Sequence, residues 1–329
     1  MDFINQVLFT TKKNVYKGNM HMHSTNSDGH YKPADAVALY RDMKYDFVAL
    51  SDHRRYVNTK EYNTEDFLVL NAFEMTSECK VTGKLYHIHG IVDENRLVTN
   101  DSFKHLQRMP EPKYDSLATT QKIINDMMDG GMITVLNHPA WSHNSFEEAL
   151  TLQNYFAIEI YNHKAEVRNG NGSSVAHWDY LLNKGRRVLG IATDDSHNKS
   201  QYHVNGQYFG GWIVVNAKEL QSKSIVESIK NASFYSSTGP EFLEISIEND
   251  QVIVKSSKVK KIKFLTGKLR KDKCVLDMDN KDVTNGHYKI SGDEVYIRIE
   301  LVDGNGKVAW SNPIFIEDIR SEKVFIGVE

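Results

Sequence analysis

Cysteine is nearly absent from this chain: its 329 residues hold two, Cys79 and Cys274. Two thiols so far apart make no disulfide framework, so the fold must rest on a buried core, and a reduced, cytoplasmic setting is expected. Long apolar runs are missing as well; none approaches the roughly 18–20 residues of a membrane-spanning helix. The opening MDFINQVLFTTKKN has no basic region ahead of its short apolar stretch and no small-residue cleavage site, so no export signal is expected. Neither sign of charge dominates. Forty Lys and Arg against 43 Asp and Glu leave a net charge of −3 and a pI near 6.5. That balance excludes bulk attraction to nucleic acid or an anionic membrane. It leaves open a small phosphorylated substrate, and no stable nucleic-acid or membrane partner is expected. A GxxxxGK[ST] phosphate loop, a GxSxG elbow, internal repeats and low-complexity tracts are all lacking. The oligomeric state is unmarked.

Histidine, by contrast, is abundant and uneven. Thirteen of the 14 lie before residue 240, and only His287 lies after it. Hydrophobic content of 40% and charged content of 25% describe an ordinary globular chain, long enough for one large domain plus a small one. The chemistry is expected in the larger, N-terminal part.

That part alternates short apolar runs with amphipathic segments, the rhythm of βα units. Strands are expected at 19–24, 46–53, 66–78, 84–92, 132–139, 156–163, 187–195 and 210–217. Helices are expected from Pro33 to about Lys44, over 115–129 up to Gly130-Gly131, over 145–152, over 173–184 and over 218–231. Ser145 with Glu148 forms a capping box. From residue 240 the pattern changes to polar–apolar alternation between Gly, Asn and Asp turns, the mark of a small antiparallel β-sandwich. The expected division is therefore 1–239 and 240–329.

Metal-capable residues recur at the ends of these strands. His21 and His23 close the first, Asp52 and His53 the second, and Glu74 falls late in the third. His87 and His89 lie on the fourth, His138 ends the fifth, and Asp195 and His197 follow the strand at 187–193. In parallel α/β barrels that edge is where active sites assemble, because the βα loops converge there. One HxH pair on a strand is usually structural; six coincidences at equivalent positions point to a metal centre. Six imidazoles and three carboxylates form a mixed N/O set suited to Mn, Fe or Zn rather than Ca or Mg.

HMHSTNSDG at 21–29, SDH at 51–53, Glu74, HIHG at 87–90, NHP at 137–139 and DDSH at 194–197 together resemble the ordered motifs of the PHP (polymerase and histidinol phosphatase) superfamily. The resemblance spans about residues 19–235. GRRV, GIATDDSH, GGWIVV and FYSSTGPE are similar to those of a subgroup with a C-terminal β-domain. It implies a distorted (β/α)7 TIM-like barrel holding two or three divalent ions and hydrolysing phosphoesters. Carried over by motif, His21, His23, Glu74 and Asp195 would hold one ion. Glu74 would bridge to a second, held also by His87 and His138, and Asp28, His53 and His197 would hold a third. His87 is preferred to His89 because the family ligand stands three residues before the glycine, here Gly90.

The expected reaction is attack on phosphorus by a metal-bridging hydroxide, with no protein nucleophile. Asp52, Glu74 and His197 are assigned to catalysis, Asp52 as a proton-transfer group or as a carboxylate fixing a local turn. Arg54 and His143 are the expected substrate contacts; Arg55, Lys164 and Arg168 are further candidates near the mouth. Glu159 and Asn162 are expected to support the ligands. His30, His105, His177 and His203 read as surface or structural, and the loops at 93–114 and 198–208 as setters of specificity. Three alternatives stand: a phosphodiesterase or nuclease of the same superfamily, an amidohydrolase-type metal barrel, and a non-catalytic metal-stabilised barrel whose β-domain binds a partner or glycan. An amidohydrolase would use a bridging Lys where this chain offers Glu74. Nine filled positions favour activity over a degenerate barrel.

Overall fold

The computed structural model describes residues 3–96, 112–197, 206–267, 272–277, 279 and 281–321. The chain divides into two compact units, Asn14–Ala232 and a second made of Met1–Lys13 with Ser233–Glu329. The division expected at residue 240 falls at 233, and the first 13 residues group with the C-terminal part. The reason is a strand that periodicity did not reveal: Gln6–Thr10 pairs antiparallel with Phe242–Glu248, Gln6 opposite Ile247.

In the larger unit eight strands lie side by side in the order Trp212–Asn216, Val15–Met22, Phe47–Leu50, Leu68–Glu78, Leu85–Val92, Met132–Leu136, Ala157–Asn162 and Leu189–Thr193. Phe47–Leu50, Met132–Leu136 and Leu189–Thr193 are buried at every residue, as strands covered on both faces must be. Helices flank the sheet. Pro33 fixes the first residue of Pro33–Asp42, with Asp35 in its first turn and Arg41 in its last, each matching the helix dipole. Its buried Ala36, Val37 and Tyr40 pack with Val48, Leu50 and Val69 of the strands. Asp115 caps Ser116–Asp129, and Ser145 with Glu148 completes the capping box of Phe146–Thr151. Val175–Asn183 and Ser222–Lys230 follow.

Two features depart from a purely parallel βα series. Leu85–Val92 runs antiparallel to both Leu68–Glu78 and Met132–Leu136, and Trp212–Asn216 runs antiparallel to Val15–Met22. Residues 79–84 form a turn rather than a helical crossover, and two adjacent strands joined so briefly can only pair antiparallel. The other neighbouring pairs are parallel. Beyond the last parallel strand, Met22 forms a bridge with Ser196, and the His23 N–H donates to the Ser196 carbonyl at 2.9 Å.

The smaller unit is β-rich, as expected. One antiparallel sheet runs Gln6–Thr10, Phe242–Glu248, Gln251–Val259, Val283–Lys289. The other runs Lys273–Leu276, Lys261–Thr266, Tyr296–Val302, Val308–Ser311, Phe234–Ser237. Alternate residues such as Val252, Val254, Ile262 and Phe264 are buried. Among the described residues no helix is long and apolar enough to cross a membrane. Cys79 is buried and Cys274 exposed, both free.

Candidate metal centre

The strand ends of the larger unit bring all nine expected ligands together. Four overlapping groups of metal-capable atoms form there: His23–Asp28–His53–His197, His21–His138–Asp195, His21–His23–Glu74 and His53–Glu74–His87. Glu74 lies at the middle. Its Oε2 is 3.4 Å from His21 Nε2, 3.3 Å from His23 Nε2 and 3.1 Å from His53 Nδ1. Its Oε1 is 2.9 Å from His87 Nδ1 and 3.5 Å from His138 Nε2. Asp195 Oδ1 lies 3.5 Å from His21 Nε2 and 3.3 Å from His23 Nε2. At the outer end, where Asp28 is 49% exposed, its Oδ2 faces His197 Nε2 at 3.2 Å and its Oδ1 faces His53 Nε2 at 3.7 Å.

The reversed strand explains how His87 reaches the centre. In parallel neighbours the ligands lie toward or beyond the C-terminal ends of the parallel-paired stretches; Leu85–Val92 runs the other way, so it contributes from its beginning. His87 stands opposite Thr76 on one side, and its carbonyl accepts from the Asn137 N–H on the other, beside His138. His89, opposite Glu74, belongs to none of the four groups. It is fully buried, and neither ring nitrogen has a hydrogen-bond partner among the described residues.

Backbone strain marks the same edge. His138 (φ 26°) and Asp195 (φ 52°) occupy the left-handed region, which costs a non-glycine residue energy that a functional placement must offset. Gly29 serves close approach: a Cβ there would meet the His23 carbonyl carbon and oxygen at 2.6 Å. This turn swings Asp28 back over His23, His53 and His197.

A shell of neutral and acidic groups fixes the ligands. Buried Glu159 accepts from His21 Nδ1, the His138 N–H and Asn162 Nδ2, each at 2.9 Å, and from the Thr193 hydroxyl. Asn137 Nδ2 donates to Glu74 at 2.7 Å, and Ser142 Oγ lies 3.1 Å from His138 Nδ1. The Asp52 carboxylate takes the Ser24 N–H at 2.8 Å, the Ser24 hydroxyl at 2.7 Å and the Ser27 hydroxyl at 2.7 Å. These bonds tie it to the loop that carries Asp28. Asp194 accepts from Tyr40 and from the N–H groups of Phe209, Gly210 and Gly211, pinning that segment to the strand end. Asn137 and Asp194 were not singled out from the sequence. An amide inside NHP and a carboxylate beside a ligand carry no periodic signal.

Arg54 Nη2 donates to the Thr76 carbonyl at 2.7 Å, which holds its guanidinium against the Glu74 strand. His143 is exposed, and Arg55 and Arg168 are exposed too. Among the described residues, Lys164 is a cation that reaches the centre. Asn162 caps a short helix, His163–Asn169, where the strand was expected to continue to 163, and this turns Lys164 inward. Its Nζ donates to Asp195 Oδ2 at 3.0 Å and lies 3.2 and 3.3 Å from the two ring nitrogens of His197. His177, bonded to the Asn144 carbonyl, is structural, and His30 is exposed. His105, His203 and most of both specificity loops lie outside the described residues.

The electrostatics suit ligation. Burial alone would push the Glu74 and Asp195 carboxyls up. His87, His21 and His53 outweigh it at Glu74, and Lys164, His21 and His197 at Asp195, holding both well below the carboxylate range. Burial, with His23 and His87 alongside and despite Glu74, pushes His53 down to about 3. Burial, then His23 and Lys164, brings His197 down to about 4. At neutral pH these two rings are neutral with free lone pairs. His21 goes the other way, because Asp195, Glu74 and Glu159 outweigh its burial.

A divalent cation fits this donor set. Among the described residues, His53 Nδ1, His87 Nδ1 and Asp195 Oδ1 are buried without a hydrogen-bond partner, though they face the carboxylates and imidazoles around them at 2.9–3.5 Å. Buried lone pairs gathered at one point are costly unless a cation lies among them.

No family model and no curated protein matches this chain. Solved structures similar to it include a two-domain protein from Bacteroides vulgatus containing a predicted PHP-like metal-dependent phosphoesterase. That similarity has 14% identity, covers 94% of this chain and 98% of the other, and has a TM-score of 0.48. An amidohydrolase from Chromobacterium violaceum is similar over 56% of this chain and 88% of its own, with 14% identity and a TM-score of 0.40. The lesion-specific endonuclease EndoQ from Pyrococcus furiosus is similar over 67% of this chain and 56% of its own, with 12% identity and a TM-score of 0.43. The solved structures similar to this chain include one described as containing a predicted PHP-like metal-dependent phosphoesterase and one described as an endonuclease.

Proposed function

We propose that the protein is a metal-dependent phosphoesterase of the PHP type, acting on a small phosphorylated metabolite or nucleotide through a site of two or three Mn, Fe or Zn ions in a distorted TIM-like barrel. One observation carries this reading: nine residues from six separate chain segments converge, through a strand reversal and two strained residues, on one mixed N/O donor cluster. When bound, the ions would lower the pKa of a water and neutralise phosphoryl oxygens. The side chains do the rest. Glu74 is placed to bridge two of the ligand groups, Glu159 holds His21 with Nε2 inward, and Asp52 holds the loop that positions Asp28. Lys164 supplies a buried positive charge beside Asp195 and His197. Glu74 where an amidohydrolase would place lysine disfavours that chemistry. A phosphodiesterase differs only in substrate, and the same assay separates it.

The test is to measure metal content of the purified protein, then assay the Mn-loaded form on p-nitrophenyl phosphate and bis-p-nitrophenyl phosphate. Hydrolysis that disappears in His21→Ala/His23→Ala supports the reading; a protein that takes up no divalent metal overturns it. Turnover of the diester alone moves the substrate class to phosphodiesters.

A further inference from the structure

Lys164 is a buried cation inside a cluster built for cations. Its backbone N–H is anchored on the Asp194 carbonyl at 3.0 Å, its side chain is 11% exposed, and Asp195 is the one carboxylate it meets among the described residues. His197 sits between this ammonium and the outer ligands. Its Nδ1 lies 2.9 Å from the Asp195 carbonyl, an acceptor only, so Nδ1 carries the ring proton and Nε2 keeps the lone pair. That Nε2 lies 3.2 Å from Asp28 Oδ2 and 3.3 Å from Lys164 Nζ. The ammonium and any ion held by Asp28, His53 and His197 therefore share one donor atom and repel each other at close range.

Charge counting gives the consequence. Among the groups that touch the ligand rings, Asp28, Glu74, Asp195 and Glu159 supply four negative charges, and Lys164 cancels one. Two divalent ions then leave about one positive charge in excess and a third would leave about three, a state that needs an anion beside it.

We infer that Lys164 makes occupancy of the outer group, Asp28–His53–His197, conditional on a bound phosphoryl anion, so that the outermost ion enters with the substrate. The inference rests on the metal-centre reading above and deepens it. Lys164 is a positioning residue in this account, acting through His197 and Asp195.

The experiment is calorimetric titration of Mn²⁺ into the chelator-treated protein, with and without inorganic phosphate, for wild type, Lys164→Met and Lys164→Arg. Wild type is expected to bind its outermost ion weakly, and phosphate to tighten it about tenfold or more. Lys164→Met, similar in length and uncharged, should bind that ion tightly without phosphate, while Lys164→Arg should keep the phosphate dependence. A wild-type outer ion indifferent to phosphate overturns the inference, as does a Lys164→Met isotherm matching wild type. Those failures leave normal uptake of the inner ions. Failure of the metal reading itself gives no uptake in any variant.

Discussion

Glu159 and His21 form a buried pair in which the carboxylate lies 2.9 Å from His21 Nδ1 while His21 Nε2 faces Glu74 and Asp195. This is how a protein selects the tautomer and fixes the plane of a ligating imidazole. Because Glu159 also receives the His138 N–H, Asn162 and Thr193, one carboxylate orients ligands from two strands.

Glu159→Gln should therefore weaken metal binding by about 10–100-fold without removing any ligand. Its amide N–H groups would face donors where the wild type presents acceptors. Calorimetric Mn²⁺ titration reads the effect, and an unchanged affinity would refute the orienting role.

Asp52 is predicted to act on stability rather than on proton transfer. Its oxygens satisfy two serine hydroxyls and one backbone N–H, all on the loop leading to Asp28. Asp52→Ala should cost about 2–4 kcal/mol, since bonds to a buried charge are worth more than neutral ones. The shape of the pH–rate profile should stay as in wild type. A lost limb of that profile, with unchanged denaturant stability, would instead assign Asp52 to proton transfer.

Gly29→Ala tests the turn. The added methyl would meet the His23 backbone at 2.6 Å, so the turn must shift and carry Asp28 with it. A stability loss of about 1–3 kcal/mol is expected from such overpacking. Binding of the outermost ion should weaken more than that of the inner ones. Crystals showing Asp28 unmoved in this variant would contradict the argument.

The metal-free protein should be most stable near pH 6.5. His53, lowered to about 3, and His197, lowered to about 4, stay neutral in the fold while the unfolded chain protonates them near 6.5. Acidification below 6.5 therefore feeds protons to the unfolded state, and stability falls. His21 and His23 are raised, so they hold a proton in the fold above 6.5. Their contribution is complete below the unfolded value and is lost as pH rises through the folded one. Thermal melts in chelator from about pH 5 to about pH 8 should give a maximum between the two ends. A midpoint that keeps rising as pH drops below 6.5 would contradict this.

Much of the site was visible before the fold because ligand identities at strand ends survive errors in strand boundaries. His21, His53, His138 and Asp195 needed only the right edge of the sheet. What stayed hidden has physical causes. Alternation in KLYHIHGIV does not encode direction, so the reversal of Leu85–Val92 had to be seen. Seven residues are too few for a helical period, so His163–Asn169 and the inward turn of Lys164 passed unnoticed. Gln6–Thr10 finds its partner more than 230 residues away, which no local pattern reports. Arg54 stands out in the sequence by its proximity to His53, but the bond its guanidinium donates to the Thr76 carbonyl depends on the neighbouring strand, which no local pattern reports.

The two histidines of HIHG should separate cleanly by mutation. His87 Nδ1 lies 2.9 Å from Glu74, whereas His89 is buried beside the His21 ring, centroids 5.0 Å apart, with both nitrogens unpartnered among the described residues. Burial, followed by the influence of His21, holds His89 well below the usual histidine range, so its ring is a neutral polar group enclosed without a hydrogen bond. Such a group costs about 1–3 kcal/mol. His89→Leu removes that cost at similar volume and should raise stability by about 1 kcal/mol. It should leave metal stoichiometry intact. His87→Ala should lower metal content by about one ion per chain, since a ligand shared with Glu74 is lost. Elemental analysis and thermal melts on the two variants decide the matter. If His89→Leu loses metal while His87→Ala keeps it, the assignment of the ligand three residues before Gly90 must be reversed.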